Sequence, residues 1–270
     1  MSTTIEDRAE AYRTKPRSVS QVKQYEQCPY AYYLARIARE PELQAAWLAQ
    51  GVAVHAAAEE WEKSERTMPL TEVQAVFGRV YTRMANESLA KEPAEENWQA
   101  SGQYAGFTDL ERRWHLGREQ CEKYVNWYEK NPAEAIWKSP DGIPAIEQRF
   151  DIELDGVKVI GFMDQVIDHP KHGPLVRDIK TGVVPKMDDS FQLETYAIAL
   201  EQTHDVECVA GDYWSGKTGR PSRVRKLVGR AAVEDRFKRM DEGVKAGAFT
   251  PTPAPETCSR CPVQRSCAFG

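Results

Sequence analysis

No apolar run in this 270-residue chain approaches the roughly 20 residues needed to cross a bilayer. The opening MSTTIEDRAEAYRTK is polar, without the apolar stretch of a secretory leader. Both absences lead us to expect a soluble, cytoplasmic protein with no membrane partner. An excess of basic residues is missing as well. The 36 Lys and Arg are outnumbered by 41 Asp and Glu, for a formal charge of −5, which excludes a chain that coats nucleic acid over its whole surface but leaves room for a local basic site. No internal repeat is evident, so a solenoid is not expected. Six cysteines in a reducing compartment do not form a disulfide framework.

Against those absences stands the stretch GFMDQVIDHPKHGPLVRDIKTG, residues 161–182. Two apolar runs flank a Pro/His/Gly turn, and they carry Asp164, Asp178 and Lys180. Side chains two apart on a strand share a face, so Asp178 and Lys180 point the same way. A hairpin centred on Lys171 places 164 opposite 178, because both lie seven residues from the turn, and the three groups converge. Two carboxylates side by side in a partly buried site resist ionisation unless a cation sits between them. A hard divalent ion, Mg²⁺ or Mn²⁺, is the natural occupant, and metal-assisted attack of water on a phosphodiester is chemistry such a group performs. The plainer reading is a surface hairpin with an Asp178–Lys180 ion pair of little energetic weight.

Around this hairpin the pattern is mixed. Residues 18–140 read as mostly helical. A capping box at Ser18-x-x-Gln21 opens one helix and Cys28-Pro29 breaks it. Further helices are expected from Glu42 to about Glu65, over 71–90, and from a second capping box at Thr108-x-x-Glu111 to Asn131-Pro132. Residues 143–246 read as a mixed α/β core. An Asp155-Gly156 hairpin is followed by the strand around LVRDIKT, a helix from about Asp189 to Gln202, strands at VECVAGDYW and SRVRKLV, and a last helix. Residues 247–270 form a proline-rich lead into Cys258-x2-Cys261-x5-Cys267. Cys121 and Cys208 sit in apolar patterns and read as core thiols. The run KTGRPSRVRKLVGR (217–230) holds six cations and no acid. It reads first as a solvated hairpin face, and otherwise as a strip that follows a phosphate backbone.

GFMDQVID followed by LVRDIKTG resembles the PD-(D/E)xK nuclease signature, and the remainder resembles its RecB-type branch, in family order across residues 18–267. SVSQVKQYEQCPYAYYL resembles the family's N-terminal helix with the first cluster cysteine. GVAVHAAAEEW resembles its Gly-x-x-x-His helix, QLETYAIAL its Gln-x-x-x-Tyr helix, and AGAFTPTPAPETCSRCPVQRSC its final segment. The implied fold is α/β, a restriction-endonuclease-like mixed sheet flanked by helices, with an N-terminal helical elaboration and a C-terminal cysteine cluster in one nuclease domain.

The resemblance also implies roles. His55, Asp164 and Asp178 bind Mg or Mn with the Ile179 carbonyl, and Lys180 orients or activates the attacking water. Glu147 matches an acid on the first core strand, while Gln192 and Tyr196, one turn apart, support the site or contact the DNA strand. Cys28 lies 230 residues from Cys258, and the pattern resembles that of iron–sulfur nucleases, so Cys28, Cys258, Cys261 and Cys267 are expected to hold a [4Fe–4S] cluster, with structural zinc as the alternative. The implied activity is exonuclease action on single-stranded DNA ends in recombination, repair or CRISPR-linked processing. The chain has no room for a helicase motor, so unwinding would come from a partner helicase or nuclease complex. The competing expectations are a flap endonuclease and a non-catalytic DNA-end-binding scaffold.

Overall fold

The computed structural model describes residues 4–269. Its residue contacts gather into two compact units: Met1–Gln44 with Phe150–Gly161 and Gly229–Gly270, and Ala45–Arg149 with Phe162–Val228. Among the described residues no helix is long and apolar enough to cross a membrane.

The first unit opens with α1 (Ile5–Thr14) and α2 (Val19–Gln27), the latter capped by Ser18, whose hydroxyl accepts from the Gln21 amide. Pro29 has no N–H to continue that helix and instead begins α3 (Pro29–Tyr32), followed by a π-helical turn, Tyr33–Ala38. Arg17 is fully buried. Its guanidinium reaches Asp241 at 2.7–2.8 Å, and its backbone bonds to Lys158 and Ile160 on the Phe150–Gly161 segment.

The second unit begins with three long helices, α4 (Ala46–Lys63), α5 (Leu70–Lys91) and α6 (Gly106–Lys130). Ala46, Ala49, Ala53 and Ala57 recur at helical spacing on the buried side of α4, and such small side chains let the neighbouring helices come close. Two expected boundaries move. Residues 42–45 are not helical. The third helix starts at Gly106 rather than at a Thr108 cap; Gly106 takes a positive φ of 53° behind Ala105, and Asp109, once inside the first turn, is buried against Arg112 and Arg113.

The sheet has seven strands: β1 (Ala135–Ile136), β2 (Ile146–Leu154), β3 (Val157–His169), β4 (Gly173–Lys180), β5 (Ala210–Ser215), β6 (Arg220–Pro221) and β7 (Arg225–Lys226). The order is β1-β3-β4-β5-β6, with β2 also on β3 and β7 also on β5. Asp155 and Gly156, both at positive φ, make the tight turn between β2 and β3 that the dipeptide announces. β4 and β5 are parallel, Leu175 facing Ala210 and Lys180 facing Ser215, and α7 (Phe191–His204) is their crossover. The architecture is a mixed α/β core with a curled mixed sheet flanked by helices. α8 (Arg230–Ala246) and the short α9 (Pro255–Cys258) belong to the first unit.

Two sequence details resolve here. β5 is shorter than VECVAGDYW suggests, and SRVRKLV contributes only the two-residue β7. Gly211–Thr218, GDYWSGKT, also matches the letters of a phosphate-binding loop, GxxxxGK[ST]. That loop needs a helix directly after it. Here residues 210–215 are strand, and the chain turns into β6. Gly211 is explained by packing, because a Cβ would stand 3.0 Å from Val176 Cγ2 on β4 and 2.9 Å from Leu227.

On β4 the odd-numbered residues face α4 and α6. Leu175 and Ile179 join the helical core with Trp61, Tyr124 and Trp214. Between them Arg177 is buried, bidentate to Asp212 at 2.6 and 2.7 Å, and bonded to Glu134 at 2.5 Å and the Tyr128 hydroxyl at 2.9 Å. Removing this cation strands two carboxylates away from water. We expect Arg177→Ala to cost about 3–5 kcal/mol in chemical denaturation, and a loss under about 1 kcal/mol would refute that account.

Candidate active site

The even-numbered residues of β4 look toward α7, and there the acidic groups meet. The β3–β4 ladder pairs Gln165 with Arg177, so the next position sets Asp164 against Asp178, the register expected from a turn at Lys171. Both are buried, Asp178 at 1% exposure and Asp164 at 8%. Asp164 Oδ2 accepts from the Ile179 amide at 2.8 Å. Asp178 Oδ1 accepts from Gln192 Nε2 at 2.6 Å, and its Oδ2 lies 2.7 Å from the Lys180 ammonium without an aligned hydrogen bond.

Burial, and then the charge of Asp164, push the Asp178 carboxyl up to about 6 from an ordinary 3.8. Burial likewise raises Asp164, with the His55 imidazole pulling the other way. His55 projects from α4. Its Nε2–H donates to the Ile179 carbonyl at 2.9 Å, leaving Nδ1 3.4 Å from Asp164 and 3.5 Å from Glu147. Burial opposes its charge, but Asp164, Glu147 and Asp178 outweigh burial and raise the imidazole to about 9.

Glu147, near the start of β2, adopts φ 45°. Positive φ is uncommon for a residue with a Cβ and gathers at functional positions. The carboxylates of Glu147 and Asp164 and the His55 ring offer ligand atoms within 4.8 Å of one another. This donor set, with the buried Asp178 Oδ2 and the Ile179 carbonyl beside it, fits a hard divalent cation.

Gln192 and Tyr196 stand one turn apart on α7. Gln192 Oε1 accepts from Lys180 at 3.1 Å, and its Nε2 contacts both Asp178 and the Tyr196 hydroxyl, the latter at 2.9 Å. One amide therefore fixes both the lysine and the second carboxylate. The structure thus brings His55, Glu147, Asp164, Asp178, Ile179, Lys180, Gln192 and Tyr196 into one place. Sequence reasoning missed the residues that hold the end of β4. Gln120 donates to the Thr181 carbonyl at 2.8 Å and accepts from Gln50 at 2.7 Å, and Arg113 donates to Gln50 at 2.7 Å. Their signal is polarity where the stripes of α4 and α6 call for apolar residues; both glutamines are buried.

The four tail-linked cysteines form a separate group in the first unit. Cys28 caps α3, its sulfur accepting from the Ala31 amide at 3.5 Å. Burial pushes this thiol up, but hydrogen bonds from Thr252, Ala31 and Tyr30 together prevail and lower it. Cys28, Cys258, Cys261 and Cys267 line one hollow with Pro251 and Pro253. Burial raises Cys261, and the other three sulfurs are close enough to add to that. Cys121 and Cys208 are buried elsewhere, as their apolar surroundings suggest. None of the six cysteines forms a disulfide.

Comparison with known proteins supplies the family. The Gene 69 protein of Mycobacterium phage D29 is 42% identical over 262 residues, covering 93% of this chain and 96% of that one. The Gene 69 protein of Mycobacterium phage L5 is 41% identical over 281 residues, with 93% and 95% covered. The solved structure of SSO0001 aligns with a TM-score of 0.37 and 13% identity over 98% of this chain and 94% of that chain, a likeness too low to carry an argument. The profile of the PD-(D/E)XK nuclease superfamily matches residues 16–268. With that match spanning nearly the whole sequence, the chain belongs to the PD-(D/E)XK nuclease superfamily.

Proposed function

We propose that this nuclease is a RecB-type, Mg- or Mn-dependent DNA exonuclease that acts on single-stranded ends and carries a [4Fe–4S] cluster. The observation that carries the catalytic reading is the convergence of Asp164, Asp178 and Lys180 with His55 and Glu147 on one buried patch. His55, Asp164, Asp178 and the Ile179 carbonyl would hold the metal. A divalent cation held there would offset the carboxylate charges and would supply Lewis-acid activation of the scissile phosphate. Lys180 keeps its ammonium between Asp178 and Gln192, partly open to solvent, where its remaining N–H groups can orient a water or a phosphate oxygen. Gln192, braced by Tyr196, holds that geometry, and Glu147 takes a second contact to water or metal.

Four thiolates can hold either a zinc ion or an iron–sulfur cluster; the cluster is the reading we favour, because Cys28 stands alone, far in sequence from Cys258, Cys261 and Cys267, and proline follows both Cys28 and Cys261. The phage relatives fit a phage nuclease; the process we propose for it is DNA recombination or repair, with any unwinding supplied by a partner helicase.

The activity is tested on end-labelled linear and on circular single-stranded DNA, with Mg²⁺ or Mn²⁺ and protein purified without oxygen. Linear strands are expected to be degraded from an end while circles survive. Cut circles would point to an endonuclease of the flap type, and no cutting of either would favour a DNA-end-binding scaffold.

A further inference from the structure

Two residues beyond Lys180 the chain enters a groove of about 600 Å³, walled on one side by Gly182–Val184 and on the other by the turn and strand from Ser215 to Arg223. Two residues span at most about 7 Å, so the groove opens beside the catalytic lysine. Its floor is tied to that lysine, because the Gly216 amide donates to the Lys180 carbonyl at 2.8 Å.

The structure divides the basic run 217–230 into parts with different tasks. Arg225 is 3% exposed. Its guanidinium donates to the carbonyls of Pro185, Lys186 and Asp189 at 2.6–2.8 Å and lies 4.6 Å from the Tyr213 ring centre, so it clamps the loop that builds the first wall. Arg230 lies 3.7 Å from Glu234 within α8. Lys226 is exposed on β7 and does not line the groove, so Lys217, Arg220 and Arg223 remain. All three are exposed and line the groove, and among the described residues none forms an ion pair. Opposite them Val183 stands 90% exposed.

Three uncompensated cations on a chain of net charge −5 mark a place for an anion, and the groove continues from the site that cuts a phosphodiester. Its volume lies in the range of about 300–1,000 Å³ typical of small-ligand sites, room for a nucleotide or two of one strand and not for a duplex. We infer that this groove seats the sugar–phosphate backbone of the single-stranded DNA being cut, with Lys217, Arg220 and Arg223 neutralising its phosphates and Val183 packing on a base or sugar. The assignment rests on the nuclease reading above, but its test does not depend on cutting.

Binding of a fluorescein-labelled oligothymidylate to the full-length protein, in EDTA so that no strand is cut, is followed by anisotropy across a salt series. Each single-strand phosphate contact contributes about 0.7 to the slope of log affinity against log salt. Arg220→Ala/Arg223→Ala is expected to flatten the slope by about 1.4 and weaken binding on the order of 10-fold at low salt. Val183→Glu, a change at a side chain with little packing to lose, also weakens binding, and Arg79→Ala on the exposed side of α5 keeps the parental slope. Parental affinity and slope in both groove variants would overturn the assignment, as would no strand binding by the parent at any salt. Cutting is read separately with metal present. A parent that binds through the groove but cuts nothing refutes the nuclease reading alone.

Discussion

Asp178→Asn is expected to lower strand cleavage in Mn²⁺ by on the order of 10³-fold or more, while the metal-free protein melts no lower than its parent. The first half follows from the place of the side chain. Asp178 is almost fully buried, one oxygen is committed to Gln192, and the other lies beside Lys180. An amide keeps the shape but removes the charge that would hold the metal and balance the lysine.

The second half follows from electrostatics. In the folded chain the Asp178 carboxyl is raised to about 6 from 3.8, so the folded state binds this proton more tightly than the unfolded one. Its contribution to stability is therefore greatest at low pH and is lost as pH rises from about 4 to about 6. At neutral pH the ionised carboxylate burdens the metal-free fold, and asparagine lifts that burden. Such an exchange of stability for activity is the usual mark of a functional buried charge. Steady-state cleavage and a thermal melt in EDTA at pH 7.5 measure the two halves. Full activity in the variant would remove Asp178 from the site, and a large fall in melting temperature would show that its role is structural.

How much of this was legible before folding depends on the range of the interaction. The pairing of Asp164 with Asp178 could be counted from the turn because a two-strand ladder is a local object. The break at Pro29 and the Asp155-Gly156 turn follow from single-residue stereochemistry. Glu147 could be named from its match to a family position, but its positive φ and its approach to His55, 92 residues away in sequence, follow from no local pattern. The boundary at Gly106 was misread for a similar reason, since buried Asp109 and its two arginines outweigh a nominal cap at Thr108. The buried glutamines Gln50 and Gln120 bond to each other across 70 residues of sequence, and Gln120 reaches Thr181 another 61 residues on. The run of cations looked uniform as text. Only the fold distinguishes Arg225, which holds a loop together, from Arg220 and Arg223, which face open space.

Cys258→Ala is expected to remove the broad absorbance near about 400 nm from anaerobically purified protein, to lower its iron content, and to open the C-terminal tail to protease while the Ala45–Arg149 and Phe162–Val228 core stays protected. The tail is held by non-covalent contacts: the Tyr25 hydroxyl donates to the Ala248 carbonyl, Phe249 packs on Tyr32 and Tyr33, Thr252 donates to the Gln27 carbonyl, and Phe269 meets Tyr30 edge-on. Val263 is fully buried against Leu34 and Ala35, and the Pro262 carbonyl accepts from the Leu43 amide at 2.7 Å. The proposed cluster would add a covalent tie, joining Cys28 to Cys258, 230 residues later. A cross-link closing so long a loop restricts the unfolded chain by about 5 kcal/mol in the chain-entropy account, more than one buried valine contributes. Removing one ligand therefore releases the tail, whereas Cys121→Ala, a core thiol outside this group, leaves absorbance and iron unchanged. Stoichiometric zinc without iron in the parent would refute the cluster. Unchanged iron and protease resistance in Cys258→Ala would refute the assignment of its ligands.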